Sequence, residues 1–278
     1  MMLDAIDSLL KQSFSDFEII VIDQSEETSQ EIEKLDNRIK YYHSEKRGLS
    51  YNRNLGISLS NGEYICLMDD DATFDKNSLE NINRALEKYT CDIVCGKILD
   101  PITKQISLHG MKNDSVDVTY SNIMEYCSSP SLTIKSHFAK KGFDEAFGVG
   151  SKWGCGEEVD LVLRSMYDGG RVKYDPSIIV YHPSVKKETI TDGKAKAYSL
   201  GYGALCAKHY IMFKNKHMKM YFNKAILKHW IARFLYTIKK NPQLRNYYNL
   251  CLNNKVQGYR EYKAYLAGRT EDDKNGQK

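Results

Sequence analysis

YICLMDDDATF, residues 64–74, decides how this chain is read. Tyr64, Ile65, Cys66 and Leu67 make a short apolar run of strand character, and Asp69, Asp70 and Asp71 follow almost at once. Two such carboxylates about 5 Å apart repel by roughly 3 kcal/mol at an effective dielectric near 20. Either water screens them in an Asp-rich turn, where Asp makes its own local hydrogen bonds, or a partner of opposite charge offsets the cost. The surrounding pattern separates these readings.

Upstream, AIDSLLKQ has helical spacing, FEIIVID is a β-rich run ending in Asp23, EETSQEIEKL is again helical, and IKYYHS reads as a short strand. GLSYNRNLGISLS opens on Gly48 and carries apolar residues at helical spacing. Downstream come a helix, SLENINRALEKY, and a strand, CDIVCGKI. Strands alternating with helices of about a dozen residues predict an α/β fold, a mainly parallel sheet with helices on both faces. In such sheets ligands bind at the carboxyl ends of the strands, where Asp23 and Asp69 to Asp71 fall. The glycines between Gly142 and Gly156 predict a loop whose backbone approaches something closely. GEEVDLVLRSMYDGG then reads as a helix with Glu157 and Glu158 in its first turn, where the helix dipole favours carboxylates. SIIVYH is a further strand, ending in His182.

The net charge of +4 hides an asymmetry: residues 1–184 carry 20 basic and 30 acidic side chains, residues 185–278 carry 20 and 6. We therefore expect two domains, 1–184 and a basic, tyrosine-rich helical region, 185–278. Between residues 193 and 270 there are 16 Lys/Arg and one acidic residue, Glu261. Within MYFNKAILKHWIARFLYTIKK, Phe222, Ile226, Trp230, Phe234 and Ile238 recur every four residues with lysines beside them, a basic amphipathic helix. Seven scattered cysteines without a CxxC pair argue for a reducing compartment and against a zinc or disulfide scaffold. The N-terminal stretch reads as an amphipathic helix rather than a signal sequence. The 11-residue uncharged run AYSLGYGALCA is too short to span a bilayer. A cytoplasmic protein, peripheral on the inner face of the membrane, is the expectation.

Five segments, SLLKQSFSDFEIIVIDQS, RGLSYNRNLGISLSNGEYICLMDDD, GFDEAF, GEEVDLVLR and VYHP, follow one another as in glycosyltransferase family 2, which this chain resembles over roughly residues 3–183. The resemblance implies the GT-A fold and an inverting transfer from a nucleotide-diphosphate sugar, with a UDP-sugar the expected donor, to a glycan or lipid-linked acceptor in cell-surface polysaccharide synthesis. It implies a DxD motif at Asp69 and Asp71 that holds Mn²⁺ or Mg²⁺, with His182 as a further metal ligand. Hard oxygen ligands suit such cations, which turn the mutual repulsion of the aspartates into attraction. By the same resemblance Asp23 accepts a hydrogen bond from a uracil-like base, Arg53 and Asp69 face the nucleotide, and Asp70 is the variable middle residue. Glu158 stands where the family has an Asp base, with Glu157 beside it as an orienting or acceptor-binding group. Asp144 and Trp153 fall on the acceptor side, although Trp153 reads equally as a packing residue.

Family members begin with a strand and a Pro-Thr/Ser-Tyr-Asn segment, and here Met1 and Met2 stand where that strand should already have ended. Loss of a central strand leaves its neighbours unpaired. Either the start lies further upstream, or the chain is an inactive remnant that serves only as a membrane-associated or binding protein. A nucleic-acid-binding role for the basic region is the third reading; no nucleic-acid motif accompanies it, and nucleic acid is not an expected partner. An anionic membrane surface is.

Overall fold

The structure, a computed structural model, describes residues 2–107, 111–184, 187 and 189–275, with side chains as far as residue 268. The chain divides into two compact units, residues 2–144 with 158–184, and residues 145–157 with those from 185 onward.

The first unit opens with α1 (Met2–Leu10), which buries Ala5 and Ile6. Next come β1 (Ile19–Asp23), a 3₁₀ turn over Gln30–Leu35 where a helix was expected, and β2 (Ile39–His43). β1 and β2 pair in parallel, Ile19 beside Ile39 and Asp23 beside His43. Ile6, Ile19, Ile32, Ile39 and Tyr41 form the core beneath them. α2 (Leu49–Leu59), β3 (Tyr64–Cys66), the two-residue β4 (Thr73–Phe74), α3 (Ser78–Tyr89) and β5 (Ile93–Leu99) follow. β6 (Val116–Val118), the one-turn α4 (Ile123–Tyr126), β7 (Leu132–Lys135), the one-turn α5 (Ser136–Ala139), α6 (Glu157–Tyr167) and β8 (Val172–Tyr181) complete it.

The main sheet has the order β3-β7-β5-β8-β4, with β6 also on β8. Its centre is the parallel pair β5–β8, whose Ile93, Val94, Ile178 and Val180 are fully buried. α3 turns Ile82, Ala85 and Leu86 onto that layer at helical spacing. The α/β class holds, but the pairing is mixed rather than mainly parallel: β4, β6 and β7 all join antiparallel to their neighbours. These strands of two to four residues have no alternation of their own to announce them; their partners define them. β1 and β3 each pair on one side only among the described residues.

The second unit holds three long helices, α7 (Asp192–Met212), α8 (Lys216–Ile238) and α9 (Pro242–Asn275). Thr191 and Asn215 cap α7 and α8, accepting from the backbone N–H of Lys194 and His217. α7 and α9 touch backbone to backbone. A Cβ on Gly203 would stand 2.1 Å from the Lys255 carbonyl oxygen, and one on Gly258 2.0 Å from that of Leu200. The expected close approach of the glycine-rich loop also lies here: Gly154 abuts Ala197 of α7, and a Cβ there would sit 2.6 Å from its methyl group. Residues 145–157 therefore group with the helices, whereas the sequence reading placed them within 1–184. Among the described residues no helix is long and apolar enough to cross a membrane.

Candidate active site

The aspartates leave β3 in a turn closed by the Ala72 N–H donating to the Asp69 carbonyl at 3.1 Å. β4 starts at once and pairs antiparallel with β8, setting Thr73 opposite Tyr181. That register carries Asp71 to His182, whose Nε2 lies 3.2 Å from Asp71 Oδ1. Asp69, Asp71 and His182 each offer one ligand atom, and the three atoms lie within 4.8 Å of one another. All three side chains are half-buried, while Asp70 faces water. Two carboxylate oxygens and an imidazole nitrogen are a donor set for a divalent cation. Oxygen donors suit Mg²⁺ and Mn²⁺, and the imidazole moves the preference toward Mn²⁺. The residues present fit the group that the sequence reading assigned to them.

Asp69 is held from the other side. The Arg53 guanidinium donates to its Oδ1 at 2.7 Å, and the Ser129 hydroxyl donates to its Oδ2 at 3.2 Å. Arg53 is 10% exposed and lies over the Phe143 ring, 5.6 Å from the centroid. Its neighbours on α2 fix it. Asn54 both accepts from the Phe143 N–H at 2.7 Å and donates to its carbonyl at 3.0 Å. Asn52 and the Gly48 N–H both donate to the Gln24 side chain, tying the end of β1 to the start of α2. Asn52 Oδ1 is buried without a donor among the described residues. The sequence reading missed Asn52, Asn54 and Ser129. The YNRN spacing, with both asparagines flanking an arginine, was the signal available for the first two.

Asp23 ends β1 as expected. Its Oδ1 accepts from the Ser25 N–H at 2.9 Å and hydroxyl at 2.6 Å, and its Oδ2 accepts from Tyr41 at 2.7 Å. Burial opposes its ionisation, yet the Ser25 and Tyr41 hydrogen bonds prevail and hold the carboxyl below its ordinary range. Asp23 is thus a fixed anion at the carboxyl end of a strand.

The glutamates open α6. Glu157 is buried, 5% exposed, and Glu158 is half-buried. One turn on, Asp160 is wholly buried and accepts from Arg164 Nε at 2.8 Å, while the same guanidinium donates to the Gly142 carbonyl at 2.6 Å. Gly142 is adjacent to Phe143, so one hydrogen-bonded chain runs from α6 through residues 142–143 to Asn54 on α2. Glu158 and Asp144 fall in the same unit as Arg53. Asp160 and Arg164 were not singled out from sequence, since an i,i+4 pair on a helix reads as surface decoration. Trp153 is a correction. It is fully buried in the second unit, against Phe147, Tyr262 and Tyr265 at 5.2, 4.7 and 5.2 Å between ring centroids, and lines no open surface. The large apolar ring satisfies the core that the close-packed glycines create around it.

A carboxylate pair, an arginine and a histidine thus converge where the strands of an α/β sheet end. Residues 1–148, just over half of the chain, match Glycosyl transferase family 2, and the chain belongs to that family. It is 33% identical over 101 residues to the glycosyltransferase GlyG of Streptococcus pneumoniae, a match covering 34% of each chain. It is 28% identical over 155 residues to the GalNAc(5)-diNAcBac-PP-undecaprenol beta-1,3-glucosyltransferase of Campylobacter jejuni, covering 51% of this chain and 50% of that one. The chain thus spans half or less of these curated relatives. Among solved structures it is similar to Staphylococcus aureus TarS 1–349 in complex with UDP-GlcNAc, with TM-score 0.64 over 96% of this chain and 88% of that one. At 15% identity this is a likeness of fold, the GT-A fold.

Proposed function

We propose that the first unit is an inverting glycosyltransferase that moves a sugar from a nucleoside-diphosphate donor to a glycan or lipid-linked acceptor in polysaccharide synthesis. The observation that carries this reading is the convergence of Asp69, Asp71 and His182, backed by Arg53. Those three side chains would hold a divalent cation, Mn²⁺ by its donor set. When bound, the ion neutralises the diphosphate and stabilises charge on the leaving group. Asp23, kept ionised and oriented by Ser25 and Tyr41, accepts the N–H of a uracil-like base, and Arg53 adds positive charge beside the phosphates. TarS was solved with UDP-GlcNAc, which supports a UDP-sugar as the first donor to try.

Glu158 acts as general base. It takes the proton from the acceptor hydroxyl as that oxygen attacks the anomeric carbon and the bond to the diphosphate breaks, which inverts the configuration. Its carboxylate needs hydrogen-bond reach before it needs a tuned pKa, and the Asp160–Arg164–Gly142 chain supplies the positioning. Buried Glu157 orients the first turn of α6, and Asp144, next to the residue clasped by Asn54, receives acceptor hydroxyls. The undecaprenol-linked substrate named for the Campylobacter relative supports a lipid-linked acceptor. A panel of nucleotide sugars with Mn²⁺ tests the reading, with thermal stabilisation, donor hydrolysis and the anomeric configuration of any product as readouts. We expect stabilisation by at least one UDP-sugar and an inverted product. A panel in which no nucleotide sugar stabilises the chain or is consumed would overturn the proposal.

A further inference from the structure

α8 is apolar on two opposite faces. Met218 and Phe222 point inward and are 0% and 8% exposed. On the other side Leu227, Trp230, Ile231, Phe234, Leu235 and Ile238 recur at intervals of three and one, a continuous helical stripe. They are 58, 51, 42, 56, 47 and 63% exposed. Scattered surface leucines need no explanation, but six contiguous large apolar side chains on one helix do. Of the five residues that the sequence pattern aligned, Phe222 belongs to the core, while Trp230, Phe234 and Ile238 stay outside it.

What surrounds the stripe is basic. Lys224, Lys228 and Lys239 flank it along α8, and no acidic residue occurs between residues 193 and 260. A groove of about 390 Å³ between α8 and α9 is lined by Trp230 and Phe234 together with Arg233, Arg245, Asn246 and Asn249. Arg233 is held there by a 3.1 Å hydrogen bond from its NH1 to Asn249 Oδ1, and the Trp230 and Phe234 rings lie nearly parallel, 6.2 Å apart. Guanidinium groups beside exposed aromatic rings match the boundary between lipid phosphates and acyl chains, where Trp sits with its apolar body in and its polar edge out.

We propose that this face of α8 docks the chain onto an anionic lipid surface, with lipid phosphates at Arg233 and Arg245 and the apolar stripe in the acyl boundary. A second copy of the chain is the poorer occupant, because it brings the same excess of positive charge to the contact. The docking stands apart from the transfer reaction: it uses none of the residues of the first unit.

Flotation with vesicles tests it on the full chain. Vesicles of phosphatidylcholine carrying about 30% phosphatidylglycerol should lift the protein at low salt and release it as salt rises from about 0.05 to about 0.5 M. Trp230→Ser with Phe234→Ser should cut the partition coefficient about tenfold or more. Arg233→Gln and Arg245→Gln should each lower it about fivefold on anionic vesicles and leave it unchanged on neutral ones. Trp230, Phe234 and Arg245 are exposed and Arg233 is half-buried, and circular dichroism checks that each variant stays folded. Wild-type protein that stays at the bottom of the gradient at low salt would overturn the proposal. So would a serine double variant that floats like wild type, self-association in free solution through these residues, or retardation of an oligonucleotide by a chain that ignores vesicles.

Discussion

Replacing Asp69 and Asp71 one at a time by asparagine should give two variants that share a ligand defect and differ in stability. Asp69 accepts from Arg53 at 2.7 Å, with side-chain exposures of 25% and 10%. A pair of unit charges about 4 Å apart interacts by about 4 kcal/mol at an effective dielectric near 20. Desolvation of both groups takes back much of that, and asparagine can still accept the hydrogen bond, so about 1–2 kcal/mol remains as the cost of losing the charge. Asp71 faces His182 at 3.2 Å with 36% and 26% exposure, where such pairs contribute about 0–1 kcal/mol. For a unit of this size about 1 kcal/mol moves the melting temperature by roughly 2–4 °C. In the absence of ligands Asp69→Asn should therefore melt several degrees below wild type, and Asp71→Asn close to it. Differential scanning fluorimetry with and without Mn²⁺ and UDP reads both effects, since a ligand that binds only the folded state raises its melting point by mass action. Neither variant should show the ligand-dependent rise. Asp71→Asn with an undiminished rise would remove Asp71 from the ligand site, and Asp69→Asn as stable as wild type would show that the Arg53 pair adds nothing to stability.

Glu158→Gln should keep donor binding and slow transfer by roughly two to four orders of magnitude, with Glu157→Gln slower by less, measured as single-turnover transfer. Gly203→Ala or Gly258→Ala sets a methyl carbon against a backbone carbonyl and should cost the helical unit about 1–3 kcal/mol each, seen as a lower denaturant midpoint. His229 provides a pH test. Burial, then nearby Lys255, pulls it from its ordinary 6.5 to about 4, so the folded chain keeps it neutral while the unfolded chain protonates. Its contribution is present above pH 6.5, is lost as pH falls from there through about 4, and is constant below. His229→Phe should remove that part of the acid sensitivity in melts at descending pH.

The residues at strand ends were legible because each is marked by its own neighbours. FEIIVID ends with β1 at Asp23, and the apolar run from Tyr64 ends at Met68, two residues past β3 and just before Asp69 to Asp71. His182 was legible as the close of SIIVYH, but its contact with Asp71 depends on the register of a two-residue strand that carries no periodic signal. Asn54 and Asp160 were hidden for a different reason. A polar residue on a helix looks solvated until the loop it clasps is known, here residues 142–143. Trp153 and the glycine-rich segment before α6 show the same limit in reverse. The glycines announced a close backbone approach, but its partner, α7, lies some forty residues further on, where only the fold supplies it. On α8 the apolar spacing was legible while its facing was not, since both sides of the helix are apolar.

A nucleoside diphosphate and a divalent cation should bind together at Asp69, Asp71 and His182. The room-temperature EPR signal of free Mn²⁺ tests it most directly, because protein-bound ion drops out of that signal. On titration with the chain and UDP, the free signal should fall beyond what UDP alone removes, to one ion per chain, and Asp71→Ala should restore it. A signal that the chain leaves unchanged in the presence of UDP, or that falls equally with Asp71→Ala, would contradict the account.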